Sequence, residues 1–209
     1  MKQLRLDQLA DSIFAIVMTI LVFEIRVPEL SGIVSNGTLW DSLLVLLPVF
    51  ISYLLGFSLL FTYWRSQHFI ASILARNIDT HFSNLNAVFF FFIGLVPFSA
   101  HLLGKYYYSE TAIMFFAANI ILIGLALFRM RYYAIKSTTI ENTPFTEIEN
   151  KHANMHIIFP MISAVVAVAV SFISVNLAML FFTFAILFNL SDRSTRYTFF
   201  FIDLLNRKI

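Results

Sequence analysis

Cysteine is absent from the 209 residues. That excludes disulfides, thiolate chemistry and any cysteine-held metal. Charge is also scarce. Only 12% of the chain is Asp, Glu, Lys or Arg, where a soluble domain carries about a quarter. The net charge of +2 is too small to suggest a nucleic-acid partner. What fills the chain instead is apolar: 59% hydrophobic residues and a mean hydropathy of +0.82. This composition is that of a polytopic membrane protein. The 25 phenylalanines include the runs Phe89 to Phe92 and Phe199 to Phe201. Such runs read as ordinary membrane filler.

Catalytic patterns are missing too. The spans contain no His pair at helical spacing, no Gly-x-Ser-x-Gly and no paired aspartates. His152 and His156 are four residues apart, but no acidic partner is assured. No Thr-Val-Gly-Tyr-Gly filter and no regularly spaced arginine series occurs, so those channel architectures are excluded. The chain reads as a non-enzyme without metal or cofactor.

A membrane-spanning helix needs about 20 mainly apolar residues. Six segments qualify or nearly do: Leu9 to Ile25, Leu39 to Trp64, Leu85 to Leu103, Ala112 to Phe128, Ile157 to Ile173 and Val175 to Leu190. The last two are separated only by Ser174, which predicts a tight hairpin. Asp7 and Asp11 lie in or beside the first apolar run, and no cleavage site follows it. It therefore reads as a retained first span.

With the N-terminus inside, the inner segments hold Lys2, Arg5, Arg65, Arg76, Arg129, Arg131, Lys136, Lys151, Arg193, Arg196, Arg207 and Lys208. The outer ones hold only Arg26 and Lys105. This bias predicts two cytoplasmic termini and hence an even number of spans. The loops are short. Asn36-Gly37-Thr38 in the Pro28 to Leu39 loop matches a glycosylation acceptor but reads better as a turn. The polar stretch from Lys136 to Lys151, with Glu141, Pro144, Glu147 and Glu149, reads as a linker. Residues 1–209 thus form a single transmembrane unit.

Two groups of residues stand out. Arg5, Asp11, Trp64, His68 and Asn86 are predicted at one level of the bilayer, from three spans. Asp11 is placed to accept a hydrogen bond from His68 or from the Trp64 indole, which only donates. On the helical wheel Ser12, Ile16, Ile20 and Phe23 line one face of the first span, with Thr19 beside it. Asp11 points roughly 140 degrees away from Ile16. The stripe is therefore a helix-packing surface or a pore lining. In the second case rings of apolar side chains gate or select by making hydration costly.

These residues resemble a known family. Arg5-x-x-x-Leu9-Ala10-Asp11 resembles the Arg-x-x-x-Phe-Ser-Asp signature of the transmembrane protein 175 family of potassium channels. Tyr63-Trp64-x-x-x-His68 is similar to its second-span motif, and Asn86 with Pro97-Phe98-Ser99 to its third-span pattern. Leu9 and Ala10 depart from the family's Phe and Ser, so one bridging hydroxyl is missing.

The resemblance implies the prokaryotic six-helix form, a homotetramer in the bacterial plasma membrane. Four copies of span one would surround a potassium-selective pathway. Ile16 would be the constriction, Ile20 and Phe23 further apolar layers and Thr19 a polar contact. Arg5, Asp11, Trp64 and His68 would tie span one to span two. Potassium would be the permeant ion, with lipid and sister subunits the only other partners. The competing reading is a secondary transporter or proton leak in which Asp11 and His68 titrate. A third is a membrane scaffold or enzyme subunit with no permeation role.

Overall fold

The structure, a computed structural model, describes residues 3–30, 35–75, 77–140 and 147–190. Lys2, Arg76, Glu141, Pro144, Arg193, Arg196, Phe199 to Phe201, Arg207 and Lys208 lie outside them. The described residues are all helical apart from turns and connections. In order they form α1 (Gln3–Ile20), α2 (Asn36–Val45), α3 (Leu47–His68), α4 (Thr80–Gly94), α5 (Val96–Lys105), α6 (Glu110–Lys136), α7 (Glu147–Ser171) and α8 (Val175–Leu190). Helix α1 tightens into a 3₁₀ turn over Leu21–Glu24, and α3 widens into a π turn over Phe69–Leu74.

Among the described residues, five stretches are long and apolar enough to cross a membrane: Gln3–Glu24, Leu47–Ala71, Thr80–Lys105, Glu110–Lys136 and Asn154–Ser171. Helix α8 is apolar but shorter over Val175–Ile186.

Two expected spans are each divided by the same device. The second was read as continuous from Leu39, but it separates into α2 and α3 at Leu46 (φ −81°, ψ −5°). The third separates into α4 and α5 at Leu95 (φ −84°, ψ −9°). Each break falls two residues before a proline, Pro48 and Pro97. A proline lacks the N–H for the i−4 carbonyl and its ring collides with that carbonyl. The helix closes instead with tighter bonds, Leu46 N–H to the Leu43 carbonyl at 3.1 Å and Leu95 N–H to that of Phe92 at 3.2 Å. The Asn36-Gly37-Thr38 tripeptide is not a free turn. It opens α2, where Ser35 and Thr38 exchange backbone and side-chain hydrogen bonds as a capping box.

The predicted hairpin is present, with residues 172–174 joining α7 to α8. Helix α6 continues past Phe128 to Lys136. Its buried positions Ile120, Ile123, Leu127, Met130, Arg131 and Ala134 keep one helical face packed throughout.

Close packing relies on glycine at two crossings. A Cβ on Gly104 would lie 2.3 Å from Ser52 Oγ and 3.0 Å from Val49 Cα, so α5 rests directly on α3. A Cβ on Gly124 would meet the Met161 side chain at 2.5 Å.

Asp79 organises the end where α4 begins and α6 finishes. Its carboxylate accepts from the Phe82 N–H at 2.7 Å, capping α4, and from Thr139 Oγ1 at 2.9 Å. The Tyr133 hydroxyl also donates to it. Partial burial works against ionisation, but the bonds from Tyr133, Phe82 and Thr139, with the nearby His81, outweigh it and hold the Asp79 carboxyl below its ordinary value.

Two predictions follow from packing and charge. Gly104→Ala should lower the thermal midpoint in detergent more than Gly124→Ala does. The first meets backbone and costs about 1–3 kcal/mol, whereas the Met161 thioether can swing aside. Asp79 is ionised in the fold at pH values where an unfolded chain begins to protonate. Its stabilisation is therefore complete above about pH 4 and lost as pH falls through the lowered value. Asp79→Asn should flatten that acid limb of a stability-versus-pH curve.

Candidate functional site: the two faces of the first helix

Helix α1 packs into the bundle along one stripe only. Leu6, Ala10, Phe14, Val17 and Leu21, spaced three or four apart, are buried. Phe14 meets the Phe89 ring of α4 at 6.0 Å between centroids. Leu21 reaches the crossing at Gly56, where a Cβ would lie 3.2 Å from Ala100 and 3.3 Å from Leu21.

The rest of the helix is left outside the subunit. Ile16 is 56% exposed, Ile20 41% and Phe23 75%. Ser12 and Thr19 are exposed on the same side. Their hydroxyls are turned back on the helix. Ser12 donates to the Gln8 carbonyl at 2.7 Å, and Thr19 lies 2.9 and 2.8 Å from the carbonyls of Ala15 and Ile16. Such back-bonding satisfies a hydroxyl on a face that offers no other partner.

Polar bonds fix α1 near both ends. At its start, Gln3 Nε2 donates to the carbonyls of Ala71 and Ala75 at 2.8 and 2.9 Å. Two turns on, the Trp64 indole donates to Asp11 Oδ1 at 2.8 Å. His68 stacks on Trp64 with ring centroids 6.0 Å apart. At the far end, His101 Nδ1 of α5 lies 2.8 Å from Glu24 Oε2, both groups about one-third exposed.

The residues expected in one network fall into separate places. Trp64 and His68 are brought to Asp11, with the indole as the direct donor. Asn86 is fully buried one layer deeper. Its Oδ1 accepts from Gln67 at 3.2 Å, and its Nδ2 donates to the Phe82 carbonyl at 2.9 Å. Arg5 is exposed and makes no ion pair among the described residues.

Three polar contacts were not anticipated from the sequence: Gln67 with Asn86, His101 with Glu24, and Asn119 Nδ2 donating to Ser99 Oγ at 3.1 Å. Helical spacing carried a signal for the first. Gln67 sits four residues after Tyr63, and both are buried, so they share the inward face of α3. Among the described residues no three His, Asp or Glu side chains converge as metal ligands.

Apolar helices of spanning length, joined by a few polar ties, define an integral membrane protein. Known proteins place it further. Residues 5–97 match the family described as "Endosomal/lysosomal potassium channel TMEM175". A potassium channel of Chamaesiphon minutus is 36% identical over 102 residues, which is 49% of each chain. One from a Chryseobacterium species is 27% identical over 123 residues, 58% of this chain and 59% of that one. These alignments span about half to three-fifths of the relatives' length.

In three dimensions the likeness runs further. The crystal structure of a lysosomal potassium-selective channel TMEM175 homolog from Chamaesiphon minutus superposes with a TM-score of 0.75. It covers 90% of this chain and 95% of that one at 28% identity. The chain is thus similar to TMEM175 channels, in sequence over residues 5–97 and in fold over nine-tenths of its length, in line with the resemblance of its motifs in α1, α3 and the α4–α5 unit. The relatives are named as channels, not enzymes.

The bond between Trp64 and Asp11 joins two groups that water still reaches in part. Trp64→Phe removes the donor and should cost about 1 kcal/mol or less of stability, read as a small fall in thermal midpoint. Combined with Asp11→Ala it should add little further loss, because both changes remove the same bond.

Proposed function

We propose that this protein is the subunit of a potassium-selective channel. Four copies surround a pathway lined by α1. The observation that carries this reading is the division of α1 into a buried stripe and an apolar stripe left outside the subunit. A lipid-facing helix would serve as well for a monomer. But the family likeness covers this helix, and relatives are named as potassium channels. Ile16 forms the narrowest ring, Ile20 and Phe23 further layers, and Thr19 and Ser12 the polar positions between them. Of the polar residues expected at this level, Asp11 and Trp64, with His68 stacked on the indole, hold the pore helix in place.

The mechanism rests on hydration. Four isoleucines offer an ion no replacement ligands, so it crosses only by keeping or partly shedding its water. Sodium holds its water more tightly than potassium and suffers the larger penalty. A closed ring excludes water altogether. In this reading α8 completes six spans, both termini are cytoplasmic and the protein resides in a bacterial plasma membrane. The positive-inside bias of the sequence supports that orientation.

Potassium flux into liposomes bearing the purified protein tests the activity. A large flux without a coupled ion is expected. A flux that requires a proton gradient would replace the channel with a transporter. Ile16→Asn should bring the potassium-to-sodium permeability ratio several-fold closer to one, and an unchanged ratio removes Ile16 from the constriction. Asp11→Ala should lower the yield of tetramer on size exclusion and leave the selectivity of the surviving tetramers unchanged.

A further inference from the structure

Helix α2 is built unlike the rest of the bundle. Between Ser35 and Val45 every residue is exposed except the half-buried Ser42. Yet Leu39, Trp40, Leu43 and Leu44 lie on one arc of its wheel, which the first-turn Asn36 shares, while Asp41, Ser42 and the exposed Val45 lie on the other side. Trp40 is 64% exposed, although apolar residues of this size are normally covered. The capping box at Ser35 and Thr38 and the break at Leu46 give α2 a definite start and end of its own.

Its height in the bundle follows from the packing. Gly104 lies against Val49 and Ser52, so the end of α5 is level with the start of α3. Beyond Gly104 come Lys105 and the exposed Tyr106, Tyr107 and Tyr108, and beyond the start of α3 comes α2. A cluster of tyrosines with a lysine is what a protein places at the boundary between hydrocarbon and headgroups. Length agrees. Leu47–Ala71 is 25 residues, about 37 Å at 1.5 Å per residue. That already exceeds the hydrocarbon core of about 30 Å, which leaves α2 at the surface.

We infer that α2 is an interfacial helix that binds the lipid surface. Leu39, Trp40, Leu43 and Leu44 dip below the headgroups, and Asp41 and Ser42 remain in the wet layer. This is the arrangement of amphipathic helices that lie in the membrane plane. It fixes the outer end of α3, whose other end holds Asp11 through Trp64. The inference depends on the chain being membrane-embedded and not on potassium conduction.

The natural lack of cysteine makes the test direct. Single substitutions Leu39→Cys, Trp40→Cys, Asp41→Cys, Ser42→Cys, Leu43→Cys and Leu44→Cys, each carrying a nitroxide, are measured in phosphatidylcholine and phosphatidylglycerol liposomes. Oxygen reports hydrocarbon and a water-soluble nickel chelate reports solvent. The oxygen-to-nickel ratio should be several-fold higher at positions 39, 40, 43 and 44 than at 41 and 42. High nickel accessibility at all six would place α2 in water and overturn the inference. Low accessibility to both reagents at 39, 40, 43 and 44 would overturn it in favour of a contact with another copy of the chain. Each position is exposed or half-buried, so folding should survive. Size exclusion of each labelled protein checks this, and the Trp64→Phe variant, which leaves Trp40 as the sole tryptophan, provides the same reading by quenching with brominated lipids.

Discussion

A bilayer interior supplies no hydrogen-bond partners, and this constraint governs the structure at every level. Polar side chains inside the spans must be answered within the chain. Tyr63 donates to the Ile120 carbonyl at 3.2 Å, Gln67 to Asn86, and Asn119 to Ser99. Hydroxyls without a tertiary partner turn onto their own helix, as Thr62 does to Ser58 at 2.9 Å and Thr183 to Met179 at 2.8 Å. The tertiary pairs each join two helices, so the scarce polar residues set which helices meet and at what height. Apolar packing fills the remainder but is non-directional.

Glycine and proline supply the geometry that packing then uses. Pro48 and Pro97 break α2 from α3 and α4 from α5 at equivalent places, two residues ahead of each ring. The α5 segment so released presses Gly104 onto Val49 and Ser52, a contact a continuous helix in another direction would not make. The same crossing aligns the outer ends of α3 and α5. It is the reason the tyrosines after α5 and the amphipathic α2 share one level.

Much of this was legible in the sequence because hydropathy reports length in a slab directly. The five longest spans, the α7–α8 hairpin and the pairing of Asp11 with Trp64 all follow from run length and helical spacing. What hydropathy did not carry was direction and depth. A proline within an apolar run reads as part of the run, so both breaks were missed. Asn86 was placed at the right level, but its partner was not found. Level alone does not say which face of α3 looks inward; the shared burial of Tyr63 and Gln67 does. Glu24 and His101 are far apart in sequence and close only because α1 and α5 end together. The apolar stripe at Ile16, Ile20 and Phe23 was readable from the wheel, and what it faces depends on neighbours beyond one chain.

The way α1 is held bears on what such a stripe can do. A helix that packs along one stripe can slide or rotate at little cost, since one apolar residue replaces another. On an α-helix a shift of one residue turns the face by about 100 degrees, which would carry Ile16 away and bring a neighbour round. Directional bonds resist this where packing does not. Hydrogen bonds of Gln3 with the Ala71 and Ala75 carbonyls and of Asp11 with Trp64 fix α1 near its start and one-third along, and the close contact of Glu24 with His101 marks its far end. Between the last two ties lie Ser12 to Phe23, the whole of the exposed stripe. The polar residues at the margins of α1 are thus what keeps an apolar surface in register, and that register has to hold if four such surfaces are to meet at one point.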